Sequence, residues 1–437
     1  MAESTRGLAP TSFGGFVRAA GELVVQPRMG FSSPERMRRG LDATRAADAT
    51  TVGTLTIDSY TRVGDLPAAR RALDEGVDLN GYPLVTHGPQ RTREMLDGVL
   101  GPEFPVQVRH GSAAPQDIVR ALTEAGLHAT EGGPVSYCLP YGRTPLEESV
   151  RNWAESCRIL TDGVGDGAEP HLESFGGCML GQLCPPGLLV ALSLLEGMFF
   201  AQHGVRSVSL SYAQQIDPEQ DAEAVRALRA LADELLPGVD RHIVIYTYMG
   251  VHPATRSGAR ALQEAAVRLA VRTGAERLIV KTTAEARRIP TIAQNVAALE
   301  DCAATARRTE PGAAPRDARG SAVYAEARAL IDAVLDLGPD LGDALLTAFR
   351  RGWLDVPYCL HPDNASRSAS FIDERGRLAW SSIGSMPLGH VVTARPAAAL
   401  TSGGLLEALH HTAARLDLGE LTRAPSGEPY PIRDGAM

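Results

Sequence analysis

Short runs of β-branched and apolar residues recur along the chain. Each is followed by a polar or glycine-rich turn and then by a helical stretch. The candidate strands are residues 23–26, 51–57, 83–86, 106–108, 128–130, 171–174, 205–210, 242–247 and 277–280. Residues 222–236 and 259–273 show helical spacing best, with apolar positions three and four apart. Strands alternating with helices imply parallel βαβ units, because a parallel neighbour is reached only through a crossover. Eight or nine runs over roughly 300 residues predict an α/β fold, a (β/α)8 TIM barrel, with one run outside it. The competing doubly wound sheet usually carries a Gly-x-Gly-x-x-Gly loop after its first strand, and no such loop is found.

After Leu299 the pattern changes. Residues 309–321 are rich in Pro, Gly, Arg and Asp and predict an exposed linker. A helix is expected over 322–350, then short strands and turns to the end. The expected division is a barrel over 1–308 and a smaller C-terminal α+β region over 309–437.

Composition narrows the function classes. The 437 residues are 44% hydrophobic, enough for a large barrel core, and the net charge of −9 argues against non-specific nucleic-acid binding. Six cysteines show no Cys-x-x-Cys pair or zinc-type spacing, so reduced thiols and no metal site are expected. Residues 188–201 form the longest apolar stretch. It is broken by Ser193, Glu196 and Gly197 and is too short to span a bilayer. Met1 to Pro10 has no apolar signal region, and the expected location is the cytoplasm.

Unusual polar residues collect beside the strand ends. Arg28, Arg62 and Arg109 each follow or end a run, Asn80 lies just ahead of one, and Glu131, Glu173, Phe175 and Lys281 close others. In a parallel barrel these C-terminal ends share one face, where active sites are built. Three converging guanidinium groups suit a small substrate with two carboxylates, each held bidentately. Glu131 could then take an ammonium group. Taken singly, each arginine reads more readily as a partner in an ordinary salt bridge; it is the three together that favour an anionic partner. Tyr137, Pro140 and Tyr141 follow Glu131 on a Gly-Pro loop and could line a pocket or simply pack it. Lys281 and Glu285 could be a plain ion pair at a helix start.

The segments QPRMG (26–30), TIDSYTR (56–62), LNGYP (79–83), VQVRHG (106–111), TEGGPVSYCLPY (130–141), ESFGG (173–177), YMG (248–250) and IVKTTAEARRIPT (279–291) run in one order. Together they resemble the large, epsilon-type subunit of the glutamate mutase (methylaspartate mutase) family, over roughly residues 21–300, with weaker similarity through RRGWLDVPY (350–358). The resemblance implies an adenosylcobalamin-dependent radical isomerase that turns L-glutamate into L-threo-3-methylaspartate. The barrel mouth would meet cobalamin carried mainly by a separate small subunit, and a homodimer of this chain would sit within a heterotetramer. Arg28, Arg62 and Arg109 would grip the substrate carboxylates, and Glu131 its amino group. Tyr137 and Tyr141 would lie at the substrate, with Asn80, Gln107 and His110 lining the cavity. Lys281 and Glu285 would bond the adenosyl ribose, and Gly30, Thr56, Pro140, Phe175 and Met249 would shape the cobalamin-facing site.

A cobalamin-binding subunit needs Asp-x-His-x-x-Gly. The nearest match, Asp240-Arg241-His242-Ile243-Val244-Ile245, lacks the glycine and reads as a strand. The chain departs from the family's pattern at Tyr246, which stands in place of histidine, and over 176–184 and 211–217. Three rivals stay open. One is the same radical chemistry on a related amino dicarboxylate, and another is a non-catalytic amino-acid-binding homologue. The third is a cofactor-independent lyase or aldolase using Lys281 as a Schiff base.

Overall fold

The structure is a computed structural model that describes residues 12–140, 142–163, 165, 168–179, 182–285, 288–312, 318–395 and 401–421. Eight parallel strands carry it: β1 (Val24–Pro27), β2 (Gly53–Thr56), β3 (Val106–Arg109), β4 (Ala129–Gly132), β5 (His171–Ser174), β6 (Ser207–Ala213), β7 (Asp240–Tyr246) and β8 (Arg277–Val280). Their order is β1-β8-β7-β6-β5-β4-β3-β2. The two end strands meet through the bridge Val25–Thr51, and the Thr56 N–H donates to the Met29 carbonyl at 2.9 Å. Helices surround the strands, giving the (β/α)8 barrel.

Two expectations of the pattern fail. Residues 83–86 are not a strand; they open the helix Leu84–Leu96. Val85 and Thr86 look strand-like, but Pro83 precedes the helix and its carbonyl accepts the His87 N–H at 2.9 Å. The extended contact here is a single bridge, Ile57–Tyr82. The stretch 322–350 is not one helix but two, Ala322–Leu335 and Leu341–Arg351. Gly338, at φ 150°, and Pro339 break it, since a residue before proline avoids the helical region. The side chain of Asp340 then caps the second helix by accepting the Asp343 N–H. Beyond them lie an antiparallel hairpin, β9 (Ser368–Ile372) with β10 (Leu378–Ile383), and the helix Ser402–Leu421.

The apolar run at 188–201 lies in the helix Pro186–Gln202, which is buried along nearly its whole length. A helix apolar all round belongs in a core. This one packs between the barrel and the helices Ala322–Leu335 and Leu341–Arg351. Among the described residues no helix is long and apolar enough to cross a membrane. All six cysteines are free and buried, and burial pushes the Cys138 thiol up to about 12.

Alternate strand residues face the barrel axis, and here many are polar. Arg277 is fully buried. It bonds the carboxylate of Glu173 and the side-chain oxygen of Gln26, the Ser209 hydroxyl at 3.0 Å and Nε2 of His242 at 3.2 Å. Burial alone would raise the Glu173 carboxyl, but Arg277, helped by Tyr246, holds it below the usual carboxylate range. His171 and His242 stack at 5.2 Å, and burial and Arg277 push His171 down to about 3, so it is neutral. The short helix Phe13–Ala19 closes the barrel's N-terminal end, with the Phe13 ring 5.0 Å from that of His171 and 5.0 Å from the Arg277 guanidinium.

Candidate functional site

Strand ends deliver the charged groups to one face. Arg109 ends β3 and Glu131 lies within β4, both inside their strands rather than after them. They pair at 2.7 Å between Nε of Arg109 and Oε2 of Glu131, almost out of solvent. Burial alone would lower Arg109, but Glu131 beside it holds it well above its usual value. Tyr246, at the end of β7, lies beneath this pair. Its hydroxyl is 2.7 Å from Glu131 Oε2, accepts from Arg109 at 3.3 Å and also reaches the Glu173 carboxylate. Its ring centroid is 5.2 Å from the Arg109 guanidinium carbon. The Tyr137 hydroxyl bonds the other oxygen of Glu131. Two ion pairs, Arg109–Glu131 and Arg277–Glu173, are thus joined through one phenol.

Arg62 comes from the short helix Ser59–Val63 after β2, whose first turn is capped by Asp58. His110 follows Arg109. The Ser112 N–H donates to its Nδ1 at 3.1 Å, which leaves the proton of the neutral ring on Nε2. Burial, with Arg62 and Arg109 nearby, pushes His110 down to about 3, and its ring stacks on Trp153 at 5.7 Å. Among the described residues, Nε of Arg62, Nε2 of His110 and the Thr56 hydroxyl are buried without a hydrogen-bond partner, as is Nε1 of Trp153. Buried donors are ordinarily satisfied, so these atoms are open to an acceptor that the described residues do not supply.

On the other side, Arg28 pairs with Glu285 at 3.2 Å. Lys281 does not pair with Glu285 on a helix start; its Nζ donates to the Tyr248 carbonyl at 2.9 Å, and residues 283–285 form a turn. Burial first, and Arg28 second, push Lys281 down to about 7. Glu285 also accepts the Thr282 N–H at 3.2 Å. Gly30 is required where it stands, since a Cβ there would lie 2.1 Å from the Thr56 carbonyl oxygen.

The other candidates are placed as follows. Gln107 is fully buried in the polar interior, bonded to Gln26 at 2.8 Å and Glu173 at 3.2 Å. Phe175 is buried, its ring 5.0 Å from that of Tyr137 and 5.3 Å from that of Tyr246. Met249 and Pro140 are half-buried. Asn80 is exposed, its amide bonded to the Ser59 backbone at 3.0 Å and hydroxyl at 2.6 Å. Tyr141 lies outside the described residues. Among the described residues no group of three His, Cys, Asp or Glu is placed to hold a metal ion.

No motif marks Tyr246 or Arg277 as part of this arrangement, and Glu173 has no role legible in the sequence. A charged residue opening an apolar strand, as Arg277 does, is the signal that points to a buried partner.

The sequence profile described as "Methylaspartate mutase E chain" matches residues 15–408. The chain is 30% identical over 390 residues to the "Glutamate mutase epsilon subunit" of Halobacterium salinarum, an alignment spanning 86% of this chain and 80% of that one. It is 30% identical to the protein of that name from Yersinia enterocolitica, over 76% of this chain and 72% of that one. It is 29% identical to that from Desulfitobacterium hafniense, over 86% and 80%. Most of the barrel and part of the C-terminal region are covered, and the chain belongs to the methylaspartate mutase E chain family.

Proposed function

We propose that this chain is the substrate-binding subunit of an adenosylcobalamin-dependent glutamate mutase. It would carry out the rearrangement of L-glutamate to L-threo-3-methylaspartate with a separate small cobalamin-binding subunit. The observation that carries the reading is the set of unpaired buried donors beside Arg109 and Glu131. Arg62, His110 and Arg109 present N–H groups to an anion, and Arg28 adds a guanidinium on the opposite side. A dicarboxylate bridging them would satisfy the orphaned donors, while its ammonium group would face Glu131.

The residues also fit the cofactor's adenosyl end. Lys281 can donate and Glu285 accept, which suits vicinal ribose hydroxyls, and the Thr56 hydroxyl lacks a partner among the described residues. When bound, adenosylcobalamin supplies the organic radical that removes a hydrogen atom from the substrate. The chain's own residues bind, orient and shield. Clamping both carboxylates keeps two halves of a fragmented substrate together, and the buried floor of Tyr137, Phe175 and Tyr246 excludes water. Glu131, bonded to Tyr137, holds or takes a proton of the amino group. A homodimer of this chain within a heterotetramer, and a unit boundary near residue 308, belong to the same proposal.

The test is anaerobic reconstitution with a glutamate mutase small subunit, adenosylcobalamin and labelled glutamate, followed by NMR. Formation of 3-methylaspartate that depends on both additions supports the reading. Turnover of 2-aminoadipate in place of glutamate shifts it to a related amino dicarboxylate. Binding of glutamate with no turnover by any small subunit favours a non-catalytic homologue. A second reading rests on Lys281, which lies among the site residues with its amine pushed down to about 7 by burial, as a Schiff-base lysine requires. A borohydride-trapped adduct on Lys281 would establish a Schiff-base lyase instead.

A further inference from the structure

Glu196 is fully buried in the helix Pro186–Gln202, and the partners of its carboxyl group among the described residues are hydrogen-bond donors rather than a cation. Its carboxylate receives four hydrogen bonds. Oε1 accepts the backbone N–H of Val135 at 3.1 Å and of Ser136 at 2.8 Å. Oε2 accepts the hydroxyls of Ser136 at 2.9 Å and Ser174 at 3.1 Å. The loop after β4 is shaped to this group. A Cβ on Gly133 would lie 2.1 Å from the Glu196 carboxylate, and Gly132 adopts φ 138° against Trp153 and Tyr137. Tyr137 follows Ser136 directly on this loop, and its hydroxyl bonds Glu131. Ser174 ends β5, and the adjoining Phe175 packs on the Tyr137 ring. One carboxylate therefore ties two loops, and both carry side chains of the candidate site.

We propose that Glu196 is a positioning residue, whose carboxyl group pins the 133–137 loop so that Tyr137 holds Glu131 in the orientation the substrate's ammonium requires. The role in turnover rests on the glutamate mutase reading; the clamp itself does not. Burial pushes the Glu196 carboxyl up to about 7 against the four donors around it, and an apolar replacement would leave the Val135 and Ser136 N–H groups buried without an acceptor. What the site needs is the acceptor. Backbone N–H groups can only donate, whereas the two serine hydroxyls can also accept. An amide oriented with its oxygen at Oε1 would keep all four contacts; an alkyl side chain would keep none.

The test compares Glu196→Gln with Glu196→Leu. Hydrogen exchange is read on the chain alone, and turnover is read in the complex reconstituted with small subunit, adenosylcobalamin and glutamate. Glu196→Gln is expected to keep the Val135 and Ser136 amides protected and turnover within about threefold of the parent. Glu196→Leu is expected to speed exchange of those two amides at least about tenfold, with β4 and β5 still protected. It should also lower kcat/KM about 100-fold, with a raised KM, the size of effect that a small misplacement of a reacting group brings. Unchanged protection or turnover in Glu196→Leu overturns the proposal. So does a loss in Glu196→Gln as large as that in Glu196→Leu, which would assign the role to charge. If Glu196→Leu does not fold, the double variant Ser136→Ala/Ser174→Ala removes only the hydroxyl donors. It should still raise KM severalfold, and no change in it counts against the clamp. A parent complex that makes no methylaspartate defeats the functional reading, while exchange still decides the clamp.

Discussion

Arg109 is held before any ligand arrives, by Glu131 on one edge and by the ring and hydroxyl of Tyr246 below. On the proposed function, a dicarboxylate entering the site would take the guanidinium's remaining N–H groups while Glu131 turns to the ammonium. Lysine at this position keeps the charge but cannot bond Glu131, Tyr246 and a carboxylate in one plane. Arg109→Lys is expected to stay folded by circular dichroism and to lose about 100-fold in turnover, ~2.7 kcal/mol in barrier. Arg277 carries a different load, because its partner Glu173 is sealed in the barrel. Arg277→Met leaves that carboxylate unpaired and should cost about 3–5 kcal/mol in urea unfolding at neutral pH. The Glu173 carboxyl is held below its usual range in the parent, so its stabilisation is present above the ordinary carboxylate pKa and is lost as pH falls through the lower folded value. The gap between variant and parent should therefore narrow on acidification.

The helices impose their own constraints, clearest where Ala322–Leu335 meets Pro186–Gln202. Glu326 lies against Gly187, accepts the Trp380 Nε1–H at 3.1 Å, and is pushed up to about 7 by burial. A carboxyl raised in the folded state binds its proton more tightly there, so stability falls as pH rises from the ordinary carboxylate value through about 7. Glu326→Gln keeps the acceptor for Trp380 and abolishes the titration. The variant should gain up to about 3 kcal/mol over the parent at pH 8 and little at pH 4.5, as thermal melts at the two pH values would show. Element boundaries followed local chemistry unevenly. β5 and β8 begin and end where the pattern puts them, bounded by turn-forming or charged residues. The helix break at Gly338-Pro339 is equally local in cause, yet apolar spacing on both sides runs through it. The 83–86 stretch misleads because Val85 and Thr86 favour strands, whereas burial against the barrel and the preceding Pro83 make them helical.

At the scale of the whole molecule, the barrel has two ends with separate duties. The C-terminal ends of the strands hold the candidate site; the other end is closed by the Phe13–Ala19 helix. Phe13 covers His171 and Arg277, and both belong to the polar interior that supports Glu173. Phe13→Ala should cost about 3 kcal/mol in stability, the low end for such a truncation because the position lies near the rim. KM for glutamate should hold in the reconstituted enzyme at a temperature where the variant is folded. A raised KM would mean that the plug reaches the site through the barrel.

The sequence by itself determined the alternation of strands and helices, the barrel they form, and the positions of Arg28, Arg62, Arg109, Glu131 and Lys281 within or shortly after strands. These follow from side-chain periodicity and turn chemistry, which act over a few residues. Only the tertiary structure decided who pairs with whom. Glu285 goes to Arg28, 257 positions away, and not to Lys281; Glu173 goes to Arg277, 104 positions away; Tyr246 joins the two buried ion pairs. Such partners are chosen by closing the barrel, which brings distant strand ends within reach and removes the water that would otherwise satisfy each charge separately.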